Sequence, residues 1–532
     1  MEQFAATEAL VIELLLVVSL VAIAVRRLRV PYTVALVVVG LVLTSQQQLR
    51  IELTPQLILS LFVPPLVFEA AFHLRLSRVR ENLIPLLVLA VPGVILSTAL
   101  VGLIVSAGVG ISLPTALVFG ALISATDPVA VVALFRAVGG PKRLTVLVEG
   151  ESLLNDGTAI VVYNLVVASA VASLAATAGQ TESVSLPLAV IEFLKVSIGG
   201  AAVGFGLGWL AYWVVDRVDD YLIETTVTTI VAFGSYLVAE ELHVSGVLAV
   251  VAAGLLVGNV GPRGMSPTTR IVLFNFWEYM AFVANSLIFL LLGLQVSVPD
   301  IVAQIGPIAI GVVAVLVSRG IVVYGLSALL GLLRWQPVPL AYQHALFWGG
   351  LRGAIALALA LSLPMALPDR DLLRVMAFGV VLFTLLFQAT TMQLLLRALG
   401  LTRREASVLE LERRHAQAIA SRSALEHLRQ LHRDGLVSTT TYENLEPELE
   451  SQVRARAAAQ DELLQEYPSL QTAERDRALR EAMRAKRAAY SALLSEGVIS
   501  EQVFDEVAAE LDESLASDEI LEPEEPERAS AP

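Results

Sequence analysis

The 532-residue sequence has no cysteine, only six histidines and few charged residues. The absence of cysteine excludes a disulfide framework, iron–sulfur ligation and thiol catalysis. Three of the histidines lie after residue 400, which leaves little for a histidine-rich metal site. Charged residues make up 16% of the chain, whereas soluble globular domains carry about 25%. With 56% hydrophobic residues and a mean hydropathy of +0.72, most of the chain is predicted not to face water.

The charge is unevenly placed along the chain. Residues 1–400 hold 20 basic and 22 acidic residues, whereas residues 401–532 hold 16 and 28. Because phosphate binding requires clustered positive charge, we expect no nucleic-acid partner. We predict a membrane domain over 1–400, a cytosolic helical domain over 401–516 and a disordered acidic tail over 517–532.

The apolar part contains thirteen segments that suit membrane-spanning helices, which need roughly 20 apolar residues to cross a bilayer. The second segment is the shortest. We therefore predict an all-α membrane protein that is embedded in the lipid bilayer. The segments are 7–25, 31–45, 54–73, 83–108, 114–136, 143–172, 187–215, 221–240, 244–260, 271–295, 301–333, 339–363 and 371–398.

Loop charges predict the orientation of these segments. Lysine and arginine concentrate in the loops after odd-numbered segments, whereas the other loops carry little more than Arg50 and Arg370. Because basic loops stay on the cytoplasmic side, we expect the N-terminus outside and the C-terminus in the cytoplasm.

Thirteen segments also divide into six, one and six, which favours two inverted six-helix repeats joined by a linker helix. The fifth segment is interrupted at Thr126, Asp127 and Pro128, and the twelfth at Gly349 and Gly350 within WGGLRG. Paired breaks at corresponding positions point to a midplane site made by crossed discontinuous helices.

The sixth segment carries the densest group of polar residues, VEGESLLNDG. Ser152 and Asp156 are four residues apart and share a helix face, so they can offer a hydroxyl and a carboxylate to one Na⁺. The same carboxylate can instead hold a proton. The structural alternative, that these residues only tie helices together by hydrogen bonds, fits one such residue better than five within eight positions.

Other intramembrane polar residues have competing interpretations. Asp127 before a proline suits a helix N-cap, whereas Thr126 in the break can coordinate an ion. Glu69 can reach Asn155 or the ion, or it can extend from a helix end toward water.

Two arginines lie deep in the apolar part. Arg319 requires a partner within the membrane, and Glu151 is the predicted one. Arg352 is predicted to stabilise the exposed carbonyl ends of the broken twelfth segment. Four tryptophans near segment ends are predicted to anchor at the membrane interface: Trp209, Trp213, Trp277 and Trp335.

Four stretches carry a resemblance to a known family: ISATDPVAVVALF, LVEGESLLNDGTAIVVY, VSRGIVVY and WGGLRGAIALALAL. Together they resemble the monovalent cation:proton antiporters of the sodium/proton exchanger type, bacterial branch. The resemblance covers about residues 8–400 and implies a bacterial inner membrane location. It also implies a homodimer whose protomers move a core domain against a dimerisation domain, in an elevator-type alternating access.

The resemblance also implies roles for individual residues. Asp156 carries the ion and the proton, and Asn155 is its neutral partner, replacing an aspartate of electrogenic relatives. The other implied roles are ion coordination by Ser152, Thr126 and Glu69, a buried ion pair of Glu151 and Arg319, and helix crossing by Asp127, Pro128, Gly349, Gly350 and Arg352.

A single exchanging carboxylate implies one proton per monovalent cation and therefore electroneutral exchange, which serves pH and sodium homeostasis. No cofactor is expected, because Na⁺ and H⁺ are the cargo. A K⁺/H⁺ or broad alkali cation antiporter of the same fold remains the alternative. A channel is disfavoured because a filter ring is expected there, and an enzyme because no Walker, zincin or cysteine nucleophile motif is present.

The tail contains an internal repeat at an offset of 62 residues. Gly435 pairs with Gly497 and Ser438 with Ser500, so each unit is predicted to be an αα-hairpin with a glycine after the first helix and a serine N-cap. These hairpins can support the dimer through self-association, regulate transport or bind a cytosolic partner.

Overall fold

In the computed structural model, the described part of the chain is helical and contains no β-strand. This agrees with the all-α prediction. The described residues are 2–28, 32–46, 54–138, 140–177, 186–215, 217, 220–260, 267–295, 298–333, 335–401, 406–495, 498–500, 503–504 and 506–507. The described residues form two compact units, divided between Arg403 and Arg404.

The first unit begins with the helices on either side of the first helix break, at residues 123–128. They are α1 (Glu2–Leu28), α2 (Tyr32–Gln46), α3 (Pro55–Leu57), a π-helical turn (Ile58–Phe62), α4 (Val63–His73), α5 (Leu76–Glu81), α6 (Leu83–Ala90), α7 (Pro92–Val109), α8 (Leu113–Leu122), α9 (Val129–Val138) and α10 (Lys142–Thr177).

The remaining helices of the first unit lie on either side of the second helix break, at residues 349–353. They are α11 (Leu186–Val215), α12 (Tyr221–Glu241), α13 (Gly246–Val260), α14 (Pro267–Gln295), α15 (Val298–Ala303), α16 (Ile305–Leu332), α17 (Leu340–Trp348), α18 (Ala354–Leu361), α19 (Arg370–Phe383), a second π-helical turn (Thr384–Ala389) and α20 (Thr390–Ala398).

Seven helical stretches of the described residues are long and apolar enough to cross a membrane, and five shorter apolar helices accompany them. Helices suit this composition because lipid offers no hydrogen-bond partner to an open backbone. The thirteen crossings and their inverted repeats stay a prediction.

Each of the two helix breaks is a short non-helical stretch between two half-helices. Residues 123–128 leave the helical path between α8 and α9, and Asp127 Oδ1 accepts a hydrogen bond from Val129 N at 3.0 Å. Pro128 directly precedes α9, where a missing N–H costs nothing. Between α17 and α18, residues 349–353 are also non-helical. Both breaks lie where the sequence predicts them.

Close helix contacts in the first unit require glycine at the crossing points. A Cβ on Gly204 of α11 would lie 1.9 Å from the Ala249 carbonyl oxygen of α13. Any larger side chain would therefore push α11 and α13 apart. Small residues at helix contacts are the usual means of tight packing within membranes.

The interface-anchor prediction is wrong for Trp277, and for the other three tryptophans it stays a prediction. Trp209, Trp213 and Trp335 are more than half exposed, as anchors at an interface should be. Trp277 is fully buried, and its Nε1 donates a hydrogen bond to Thr228 Oγ1 at 3.2 Å. Packing between α12 and α14 therefore determines its position.

The second unit contains three long polar helices, α21 (Ala406–Arg433), α22 (Thr439–Glu466) and α23 (Pro468–Ser495). Gly435 has φ +72° after α21, and Ser438 Oγ accepts a hydrogen bond from Thr441 N at the start of α22. The second predicted hairpin is described only in part, because Gly497 and residues 508–516 lie outside the described residues. The predicted acidic tail 517–532 also lies outside them.

Candidate ion-binding site

The two helix breaks cross each other in the interior of the first unit. Asp127 N donates a hydrogen bond to the Leu351 carbonyl oxygen at 2.8 Å, which joins one break to the other. A Cβ on Gly353 would lie 2.1 Å from Asp127 Oδ2, so only glycine allows this approach. Asp127 therefore both caps α9 and holds the crossing together.

Arg352 stabilises carbonyl groups at the crossing, although not those that the sequence predicts. Its Nη1 donates hydrogen bonds to the carbonyl oxygens of Ser124 at 2.6 Å and Ala125 at 3.2 Å, in the break that follows α8. The prediction assigned it to the carbonyls of its own broken segment. Instead, the positive charge compensates the C-terminal end of the opposite half-helix, where carbonyl dipoles point outward.

Helix α10 brings two polar side chains to Thr126 in the first break. Ser152 Oγ donates to the Thr126 carbonyl oxygen at 2.5 Å, and Asn155 Nδ2 donates to Thr126 Oγ1 at 3.2 Å. Each of these three residues is no more than 4% exposed. The structure thus brings together Ser152, Asn155 and Thr126, which are up to 29 positions apart.

Asp156 lies one helical turn beyond Ser152 and lines a cavity of about 660 Å³. Thr126, Asp127, Ser152 and Glu69 line the same cavity. Among the described residues, no side chain or backbone group forms a hydrogen bond or ion pair with the Asp156 carboxylate. The arrangement leaves one carboxylate available to a cation or a proton, beside hydroxyl and carbonyl oxygens.

Glu151 and Arg319 form a buried bidentate ion pair next to Asn155. Nη1 and Nη2 of Arg319 lie 2.8 and 2.9 Å from the two carboxylate oxygens of Glu151. Nη2 also donates to the Leu346 carbonyl oxygen at 3.1 Å. Glu151 Oε1 accepts a second hydrogen bond from Asn155 Nδ2 at 3.3 Å, so the pair also orients Asn155.

Glu69 reaches the cavity from α4. Its Oε1 lies 3.2 Å from Nδ1 of His73, one turn later on the same helix. The side chain is largely buried and lines the cavity, which argues against a position at a helix end facing water. Sequence reasoning did not identify His73 as its neighbour.

Sequence reasoning also missed part of the cavity wall. The sequence assigns no role to Glu278 or Asn285, yet both line the cavity from α14. Gln393 lines it from α20. The spacing of seven residues places Glu278 and Asn285 on one helix face, but it does not show what that face contacts.

The polar residues of the cavity wall offer oxygen atoms of several kinds. Among the described residues, no group of three or more His, Asp or Glu side chains is arranged as a metal centre. Asp156, Ser152 and Thr126, which line the cavity, carry one carboxylate, one hydroxyl and one carbonyl oxygen respectively.

Comparison with known proteins is consistent with this geometry. The family model described as sodium/hydrogen exchanger, transmembrane, matches residues 14–398. The chain is 42% identical over 405 residues to the Na(+)/H(+) antiporter ApNhaP of Aphanothece halophytica, covering 75% of each protein. It is 35% identical over 489 residues to the low-affinity Na(+)/H(+) antiporter NhaS1 of Synechocystis, covering 90% of each.

A solved structure shares the fold. The sodium proton antiporter MjNhaP1 from Methanocaldococcus jannaschii superposes with a TM-score of 0.61 at 18% identity, covering 76% of this chain and 100% of that one. The relatives are named as transporters, which confirms the prediction that the chain is a transporter and not an enzyme.

Proposed function

The chain belongs to the sodium/hydrogen exchanger family, and from this premise we propose that it exchanges Na⁺ for H⁺ at Asp156. The observation that carries the proposal is the Asp156 carboxylate, which lines the cavity with Ser152 and Thr126 and forms no hydrogen bond or ion pair among the described residues. The named antiport activity of the relatives supports the choice of ions.

Competition for one carboxylate is the proposed mechanism. Na⁺ binds the ionised Asp156 with the hydroxyl oxygen of Ser152 and oxygens of Thr126 and Glu69, and a proton displaces it by neutralising the carboxylate. Asn155 carries no charge, so either cargo gives the site the same net charge. One proton therefore moves per cation, and membrane potential does not drive the cycle.

The crossed breaks supply the proposed moving part. We propose elevator-type alternating access, in which the half-helices with Asp156 slide as one body against the helices across the cavity. The bonds from Asp127 N to Leu351 O and from Arg352 to Ser124 O favour such a body, because they tie the two breaks together. A homodimer of thirteen-helix protomers in a bacterial inner membrane, with the C-terminus in the cytoplasm, completes the proposal.

K⁺ is the alternative cargo. The donor oxygens do not separate the two ions, since both take carboxylate, hydroxyl and carbonyl ligands. The size of the cavity must therefore determine whether the site selects Na⁺, Li⁺ or K⁺. Exchange of either ion supports regulation of internal pH and cation content.

Everted vesicles with a dye for internal acidity test the function. Respiration acidifies the vesicles, and Na⁺, Li⁺ or K⁺ is then added with the potential either free or clamped to zero with valinomycin and K⁺. We expect Na⁺ to dissipate the acidity at the same rate in both conditions. A rate that changes with the potential would contradict electroneutral exchange, and a response to K⁺ alone would favour the alternative.

A further inference from the structure

Helix α14 lines the cavity with a single face. Glu278, Ala281, Phe282 and Asn285 all line the cavity. Their spacing of three, four and seven residues is that of a single helix face. The two polar members therefore lie about 10 Å apart along the helix axis. Neither belongs to the site around Asp156 described above.

Asn285 is a buried amide without a partner. Its side chain is 8% exposed and lines the cavity, and among the described residues it has no hydrogen-bond partner. Because the residue lines the cavity and no protein group occupies its amide, its carbonyl oxygen or amide nitrogen is available for a ligand there.

Glu278 lies two turns before Asn285 and is exposed. Within the described part of the chain, its carboxylate has no cationic partner and accepts no hydrogen bond. A carboxylate at the accessible part of a cavity raises the local concentration of cations. The exposed charge and the buried amide thus follow one another along one cavity wall.

We propose that Glu278 and Asn285 form a second monovalent cation-binding station, which holds the ion before it reaches Asp156. Glu278 attracts the hydrated cation, and the Asn285 carbonyl oxygen replaces one of its waters. A neutral amide binds the ion weakly enough for it to leave, which transport through successive sites requires. The inference deepens the proposed cation exchange and rests on it.

The station predicts a specific kinetic signature in the vesicle assay. Glu278→Gln should raise the apparent KM for Na⁺ roughly tenfold, because the local cation concentration falls, and should leave kcat unchanged. Glu81→Gln is the matched control, because Glu81 on α5 is exposed and lies outside the cavity lining. The control should keep the KM of the natural protein. Asn285→Ala should raise KM and also leave kcat unchanged.

Added choline chloride distinguishes an electrostatic role from a structural one. The Debye length falls from about 10 Å at 0.1 M salt to about 3 Å at 1 M. Screening should therefore raise the KM of the natural protein toward that of Glu278→Gln and barely change the variant. An unchanged KM in Glu278→Gln, or a fall in kcat together with the melting temperature, would overturn the proposal.

Sodium NMR line broadening on purified protein tests the station without transport. The Asp156→Asn protein should still broaden the sodium signal weakly, and Asp156→Asn with Glu278→Gln should lose that remaining broadening. Equal broadening in both proteins would overturn the station even if exchange by the natural protein is normal. Absent exchange with broadening that depends on Glu278 would instead reject the antiport function alone.

Discussion

Loss of one partner from the buried ion pair between Glu151 and Arg319 should strongly destabilise the membrane unit. Both side chains are less than 10% exposed, and two N–H···O contacts of 2.8 and 2.9 Å join them. Arg319→Met would leave the Glu151 carboxylate with one hydrogen-bond donor among the described residues, the Asn155 amide at 3.3 Å. Breaking a buried pair in this way costs about 3–5 kcal/mol.

Removing both charges should cost much less than the two single changes together. In Glu151→Gln with Arg319→Met, the glutamine oxygen can still accept from Asn155, and no unpaired charge remains. We expect the double variant to lose less than about 2 kcal/mol, because neutral replacement of a buried ion pair is close to neutral in stability. With each single change costing about 3–5 kcal/mol, the coupling energy should therefore exceed about 4 kcal/mol.

The assay is unfolding in mixed micelles by increasing SDS, followed by circular dichroism. Asp371→Asn is the control, because Asp371 is 88% exposed and lies 3.6 Å from Arg374. An exposed pair of this kind contributes about 0–1 kcal/mol. Additive losses in the double variant, with coupling under about 0.5 kcal/mol, would refute the reasoning.

Three further predictions follow from individual contacts. Gly353→Ala should abolish exchange, because its Cβ would meet Asp127 Oδ2 at 2.1 Å, whereas Gly325→Ala, with open space around it, should keep the natural vesicle rate. Ser152→Ala should weaken the apparent Na⁺ affinity roughly tenfold, as expected for one lost hydrogen-bonding oxygen, and an unchanged Na⁺ dependence would contradict its role as a ligand. In the tail, hydrogen bonds from Tyr442 and then Arg429 hold the pKa of Glu446 below its usual value. Tyr442→Phe should raise that pKa in a carboxyl NMR titration. The stability that the natural protein gains over the variant should vanish as pH falls through the folded-state pKa of Glu446, and a stability difference that persists below it would contradict the assignment.

The helix boundaries and breaks could be predicted because lipid restricts the chain to a few solutions. An apolar stretch must satisfy its own backbone, so a Thr-Asp-Pro sequence or a glycine-rich sequence inside it marks an interruption. The break predicted at residues 126–128 accordingly lies in the non-helical stretch 123–128. The ion pair could be predicted for a related reason, since Arg319 requires a buried anion and Glu151 lies in the densest polar group.

Contacts that depend on which distant helix faces which could not be predicted in the same way. Arg352 donates to carbonyls 227 and 228 positions away, and no local pattern links them. Trp277 is buried because α12 packs over it, although its place in the segment is typical of an interface anchor. Asn285 opens the apolar run NSLIFLLLGL, and only the packed helices reveal that it faces the cavity.

Exchange by the Asp156→Asn variant tests the central claim most directly. The variant keeps the size of the side chain and the neighbouring hydrogen bonds of Ser152 and Thr126, but it can neither take up a proton nor offer a negative charge. In everted vesicles, at matched membrane content, Na⁺, Li⁺ and K⁺ should all fail to dissipate the acidity. Exchange at the natural rate by this variant would contradict the assignment of Asp156 as the shared carrier.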